Sequence, residues 1–162
     1  MKKLILSLTV LLGMMTAASA QDYDFTAGVR AGYGAAFSVE ASAQMFFNDI
    51  NRLEVDFGAR LRRTTAEYYY SPGMTLTGIY QWHWFLVGGL GAYGGPALQM
   101  SLPEMHHFCL GLGVQVGIDY QFDLPFQLSV DFRPLFNPFG PYRWQGKNGF
   151  DLNVGIGMRY AF

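Results

Sequence analysis

Leu53-Glu54-Val55-Asp56-Phe57-Gly58-Ala59-Arg60-Leu61-Arg62 alternates without a break, with apolar side chains at 53, 55, 57, 59 and 61 and charges or glycine between them. In an extended chain successive side chains point to opposite faces, so one face of this segment is wholly apolar and the other carries four charges. A slip of one residue would exchange the faces, so whatever covers the apolar face also fixes the register.

The same code runs outward in both directions. Phe37, Val39, Ala41, Ala43 and Met45 alternate with Ser38, Glu40, Ser42 and Gln44, and the first such segment, Phe25 to Tyr33, keeps Arg30 on its polar face. Downstream, Phe108 to Tyr120 alternates with Asp119 on the polar side, Phe126 to Arg133 with Asp131 and Arg133, and Leu152 to Phe162 with Arg159. Between Glu67 and Glu104 there is no Asp, Glu, Lys or Arg, yet the many glycines and prolines there argue against a helix. We read this stretch as two strands, Met74 to Trp82 with its threonines and Gln81 on one face, and Trp84 to Tyr93 with Leu86 and Leu90 outward. The sum is an all-β, up-and-down antiparallel barrel of about eight strands, an even number that returns the C-terminus to the side where the N-terminus entered.

Connections sort into two classes. Asn48 to Asn51, Trp82-His83-Trp84 and Asp123-Leu124-Pro125 read as short turns; residues 63–73, 94–107 and 134–149 read as longer loops, with a tight exception at Gly34-Ala35. Short turns at one end and longer loops at the other is the pattern of a transmembrane barrel.

The first twenty residues set the compartment. Lys2 and Lys3, an apolar run from Leu4 to Met15 and the small residues Ala18-Ser19-Ala20 form an export signal expected to be cleaved before Gln21, leaving residues 21–162 as the barrel domain. The apolar run is too short for a spanning helix, and no cysteine follows the cleavage site to accept a lipid. Of 162 residues, 142 remain after the first 20, and losing two lysines takes the formal charge from −1 to −3. No basic patch survives, so nucleic acid is not a partner. Cys109, the single cysteine, excludes an internal disulfide.

Apolar-out and polar-out barrels alternate alike, so composition decides between them. With 51% hydrophobic, 17% aromatic and 14% charged residues the chain is richer in apolar side chains than an ordinary soluble domain. Its polar face carries Gly28, Gly32, Gly58, Gly111, Gly113, Gly117, Gly155 and Gly157 where a water-facing exterior would carry lysines and glutamates. Small residues suit a narrow lumen, where they make room for long charged side chains. The lumen is expected to hold Arg30, Arg60, Arg62, Arg133 and Arg159 against Glu40, Glu54, Asp56, Asp119 and Asp131, mutually paired, because an arginine on the lipid face near the midplane costs about 2–4 kcal/mol. Eight strands enclose a space that side chains just fill, so the interior is expected to be plugged. Trp82, Trp84, Tyr120 and Phe122 are expected to form an aromatic girdle at the short-turn end, with Tyr68, Tyr69 and Tyr70 at the opposite rim.

Two segments resemble a known family. Gly155-Ile156-Gly157-Met158-Arg159-Tyr160-Ala161-Phe162 ends in phenylalanine with apolar residues at every second position, which resembles the C-terminal signal that bacterial outer-membrane proteins present to the barrel-assembly machinery; Tyr160 and Phe162 would carry it. Ser129 to Pro134 is similar to the penultimate strand of small outer membrane protein beta-barrel domain proteins of the OmpX and OmpA type. The resemblance implies an outer-membrane location with outer-membrane lipid and lipopolysaccharide as surroundings, and it implies fold more than activity; a monomer is expected, with the oligomeric state not fixed by the sequence.

The leading functional expectation is therefore a non-enzymatic barrel that presents loops in a structural, adhesive or surface-interaction role, with no cofactor. Tyr142-Arg143-Trp144-Gln145-Gly146-Lys147 combines two cations with two aromatics, and Arg143, Trp144 and Lys147 suit phosphates or sugars of lipopolysaccharide by charge and stacking. Against this stand an enzyme built on Ser101, Glu104, His106 and His107 in the 94–107 loop, which no G-x-S-x-G elbow supports, and a lateral conduit for a small apolar molecule, for which Pro134, Pro138 and Pro141 would remove ladder donors. A metal site is disfavoured because the adjacent His106 and His107 point to opposite sides of an extended chain.

Overall fold

A computed structural model describes residues 24–61, 63–64, 69–70, 72–103, 108–139 and 149–162. Eight strands close into one barrel: β1 (Phe25–Tyr33), β2 (Phe37–Phe46), β3 (Asn51–Arg60), β6 (Gly73–Val87), β7 (Leu90–Pro103), β8 (Cys109–Gln121), β9 (Phe126–Phe139) and β10 (Phe150–Ala161). Two further short strands, β4 (Arg63–Thr64) and β5 (Tyr69–Tyr70), pair with each other in the connection between β3 and β6. Every neighbouring pair in the barrel is antiparallel, and β1 closes on β10 with Thr26 opposite Ala161 and Tyr33 opposite Val154. Among the described residues no helix is long and apolar enough to cross a membrane, which leaves crossing by strands untouched.

The alternation acts as read. In β3 the side chains of Arg52, Glu54, Asp56 and Arg60 are buried in the barrel while Val55 and Phe57 are exposed on its wall. Asp119, Asp131, Arg133 and Arg159 face inward from β8, β9 and β10, and Val116, Ile118, Val130, Phe132, Val154, Ile156 and Met158 face outward. No charged side chain of the eight barrel strands is on the outer wall.

Three expectations are corrected. The turn placed at Trp82-His83-Trp84 lies instead at Gly88-Gly89, because the ladder to β7 continues through Trp82 opposite Gly94 and Trp84 opposite Ala92. Gly88, at φ 55°, adopts the left-handed conformation such a tight turn needs. The strand read as Trp84 to Tyr93 is thus divided: Leu86 is exposed near the end of β6, and Leu90 begins β7.

The loop read as 94–107 is mostly strand, since β7 runs to Pro103, and the one read as 134–149 begins as strand, since β9 runs to Phe139. Pro96 and Pro134 each sit in a gap of two successive rungs without ending the strand. Pro96 pairs with Val114 of β8 but has no rung to β6, and Pro134 pairs with Leu152 of β10 but has none to β8. Consequently Ser101, read as a loop residue, is a buried strand residue opposite Cys109.

Candidate functional site

The described residues place five arginines and six carboxylates inside the barrel: Arg30, Arg52, Arg60, Arg133 and Arg159 with Glu40, Glu54, Asp56, Asp119, Asp131 and Asp151. Buried charges persist only when paired and hydrogen-bonded, and here they are. At the centre Arg30 Nη1 meets Glu40 Oε2 at 3.1 Å, and Arg30 Nε donates to Asp131 Oδ2 at 2.9 Å. Arg133 reaches across the lumen to Glu40 and Glu54, both at 3.3 Å, and to Asp56. Arg159 closes the group on Glu54 at 3.0 Å and donates to Ser42 Oγ at 2.9 Å. Uncharged amides fill the gaps, with Gln44 donating to Glu54 and Gln81 to Gln115 at 3.1 Å.

Two smaller groups flank this centre. Toward the short turns, Arg52 Nη1 pairs with Asp119 Oδ2 at 2.7 Å while His83 Nε2 lies 3.0 Å from Asp119 Oδ1. The Arg52 guanidinium lies 4.4 Å from the Tyr93 ring centroid. Toward the long loops Arg60 pairs with Asp151 at 2.5 Å, and Asp151 also accepts the backbone N–H of Ala35 at 2.9 Å.

Glycines make this packing possible by yielding their side-chain volume to a neighbour. A Cβ on Gly155 would fall 2.6 Å from Arg30 Nε, and one on Gly117 2.6 Å from the Tyr93 hydroxyl. Gly91 lies against His83 and Asp119 in the same way. Among the described residues the lumen has one apolar patch, made by Ile79, Ala97 and Leu135 on β6, β7 and β9.

Of the residues singled out from sequence, Arg30, Glu40, Glu54, Asp56, Arg60, Asp119, Asp131, Arg133 and Arg159 meet in the lumen. Arg62, Tyr68, Glu104, His106, His107, Pro141, Arg143, Trp144 and Lys147 lie outside the described residues. Sequence reading missed Arg52, His83, Tyr93 and Asp151. Arg52 and Asp151 share the parity of their inward neighbours and stand one residue before the strand starts that were assigned; extending the alternation by one step finds both.

On the outer wall Trp82, Trp84 and Phe122 are exposed and Tyr120 is half-buried. Tyr80 packs edge-on to Trp82 at 5.7 Å and Tyr120 to Phe122 at 4.8 Å, all toward the short-turn end. At the closing seam Tyr160 and Phe162 contact each other at 4.9 Å, and the Phe162 N–H donates to Phe25 O at 2.9 Å. Tyr69 and Tyr70 form β5 beyond the long-loop end.

Ser101 points into the lumen and donates to Gln99 Oε1 at 3.3 Å. Among the described residues no three His, Cys, Asp or Glu side chains are grouped to hold a metal. The seam between β8 and β9 lacks two successive rungs, Val114 with Pro134 and Gln115 with Arg133, and has a register shift between Leu110 and Leu112, but it pairs on both sides of the gap, with Gly113 opposite Leu135 and Val116 opposite Phe132.

No protein-family model matches the chain. No curated protein matches it either. Solved structures do. A designed transmembrane β-barrel matches with a TM-score of 0.58 at 16% identity, over 88% of this chain and 98% of that one. The N-terminal β-barrel domain of Pseudomonas aeruginosa OprF matches with a TM-score of 0.58 at 16% identity, over 88% and 100%. Neisserial surface protein A matches with a TM-score of 0.59 at 18% identity, over 85% and 94%. At these identities the likeness establishes a shared fold.

Proposed function

We propose that this chain is an integral barrel of a bacterial outer membrane, seated in lipid by its apolar wall, closed along its axis by ion pairs, and presenting its longer connections outside the cell in a structural or adhesive role. One observation carries the reading: all eleven charged side chains of the barrel strands among the described residues point inward and none outward. A barrel standing in water has no reason to hide its charges and expose Val29, Phe57, Ile118, Val130 and Ile156. In lipid the same arrangement is the favourable one, since a closed barrel pairs most of its backbone polar groups between strands and here every lumen charge has a partner.

The outer-membrane placement draws further support from the export-signal pattern of residues 1–20, and from two neighbours of the same fold whose names place one in Pseudomonas and call the other a surface protein. The role we assign is non-enzymatic and monomeric. For the last long connection we assign contact between Arg143, Trp144 and Lys147 and lipopolysaccharide; unchanged lipopolysaccharide binding after replacing Arg143 and Lys147 with alanine contradicts that assignment.

The reading as a whole is tested by migration of the detergent-solubilised protein on a gel with and without boiling. A folded membrane barrel migrates differently in the two lanes and needs detergent to stay in solution. Identical migration, together with solubility in plain buffer, overturns it.

A further inference from the structure

The end of the β6–β7 hairpin departs from the rule that governs the rest of the wall. Elsewhere exposure alternates along each strand, but Trp84, Phe85, Leu86 and Val87 are exposed at 52%, 60%, 59% and 59%, whichever face they point to. The reason is overhang. The last rung to β3 joins Trp82 to Asn51, with the His83 N–H donating to Ile50 O at 2.7 Å, and beyond His83 β6 continues for four residues with no strand on that side among the described residues. On the other side β7 and β8 follow it down, Leu90 opposite Tyr120 and the Gln121 N–H on Gly89 O at 2.7 Å.

With 15 residues, β6 is also longer than the roughly 9–11 that span a bilayer. Trp84, Leu86 and, past the register shift between Phe85 and Val87, Val87 opposite Leu90 are thereby presented on a ledge below the barrel wall, with exposed Phe85 packed edge-on to His83 at 4.7 Å behind them.

We propose that this ledge is a lipid-binding foot, seated in the boundary between headgroups and acyl chains of the leaflet that faces the short turns, so that the apolar belt is deeper on the β6–β7 side than on the β1–β3 side. The inference rests on the membrane reading above. Three features select lipid as the occupant. The ledge continues the outward row Leu76, Tyr80, Trp82, Trp84, Leu86 of the same strand without a polar break. It carries no formal charge, because no Asp, Glu, Lys or Arg occurs from Tyr68 to Pro103, whereas the other two turns at this end carry Asp49 and Asp123. Its Trp84 is of the side-chain type that sits at headgroup level. The free edge of β6 sets the depth, since its unpaired backbone groups need hydrogen-bonding partners that headgroups and interfacial water supply and the hydrocarbon core does not.

The test uses full-length protein with Cys109→Ser, carrying a thiol-linked fluorophore at Leu86→Cys, Val87→Cys, Asp49→Cys or Val154→Cys, in nanodiscs of phosphatidylcholine and phosphatidylglycerol. Quenching is compared between chain-brominated phosphatidylcholine and aqueous iodide, to which both nanodisc faces are open. The expected result is lipid quenching without iodide quenching at Val154, the reverse at Asp49, and lipid quenching at Leu86 and Val87 with several-fold less iodide quenching than at Asp49. If both ledge positions behave as Asp49 does while Val154 is quenched by lipid, the foot is in water and the inference is overturned with the membrane reading intact. If the ledge is shielded from both quenchers and crosslinks to a second copy, a partner chain covers it and the inference is likewise overturned. Absence of lipid quenching at Val154 overturns the membrane reading itself.

Discussion

Arg30 and Asp131 stand 101 residues apart in sequence and meet inside the barrel through two hydrogen bonds from one guanidinium to one carboxylate, Nε to Oδ2 at 2.9 Å and Nη2 to Oδ1. Such a pair, with both side chains removed from water, is worth little against an apolar replacement but much against the loss of one partner. Asp131→Ala is therefore expected to cost about 3–5 kcal/mol, by leaving a buried cation short of its partner. The double variant Arg30→Met with Asp131→Leu should recover most of that loss, because Glu40 keeps its contact with Arg133. Denaturant unfolding of the three proteins in lipid vesicles measures both effects; equal stability of Asp131→Ala and the parent contradicts them.

Glycine content on the inner face follows from the same packing. Gly155→Ala puts a methyl group where the Arg30 guanidinium lies, so a loss of about 1–3 kcal/mol is expected from overpacking. Gly78 faces the outer wall with open space around it, and Gly78→Ala should stay within about 0.5 kcal/mol of the parent. Equal effects at the two positions would remove the lumen-filling role assigned to the inward glycines.

Closure of the axis has an electrical consequence. The parent protein in a planar bilayer is expected to show no long-lived openings of porin size, since Arg133 crosses the lumen to Glu40, Glu54 and Asp56. Arg133→Ala removes that crossbar and leaves carboxylates behind, so cation-selective openings should become several-fold more frequent. Large stable openings in the parent contradict a plugged interior.

At the seam, Phe162 packs on Tyr160 and lies 5.9 Å from Phe25. If it also serves as the final residue read by the assembly machinery, Phe162→Ala should lower the yield recovered from outer membranes several-fold while the protein refolded in detergent keeps its heat-dependent migration. Loss of both properties together points to a purely structural role.

The alternation of β2, β3, β8, β9 and β10 was legible because each of these strands carries charge on one face, and a charge admits only one orientation toward lipid. Arg52 and Asp151 escaped only because the strands were begun one residue late. The region from Tyr68 to Pro103 was harder for a physical reason: with no charge in it, nothing ties either face to the lumen, and period-two patterning alone cannot say where one strand stops. The Gly88-Gly89 pair was the available signal for the turn, since adjacent glycines permit the left-handed backbone a tight hairpin needs. His83 was thereby assigned to a turn although the fold places it beside Asp119. Contacts such as Arg133 with Glu54, 79 residues apart, depend on closure of the sheet, which no local pattern encodes.

The orientation of the wall is tested most directly by placing one charge on it. Ile156, in the middle of β10, is 58% exposed on the outer face between Val130 and Ala31 of the flanking strands. Unfolding of Ile156→Arg in lipid vesicles should show a loss of about 2–4 kcal/mol relative to the parent, the cost of an arginine at the bilayer midplane. A change within about 0.5 kcal/mol, as expected for a substitution on a water-facing surface, would contradict the lipid-facing assignment on which the whole account stands.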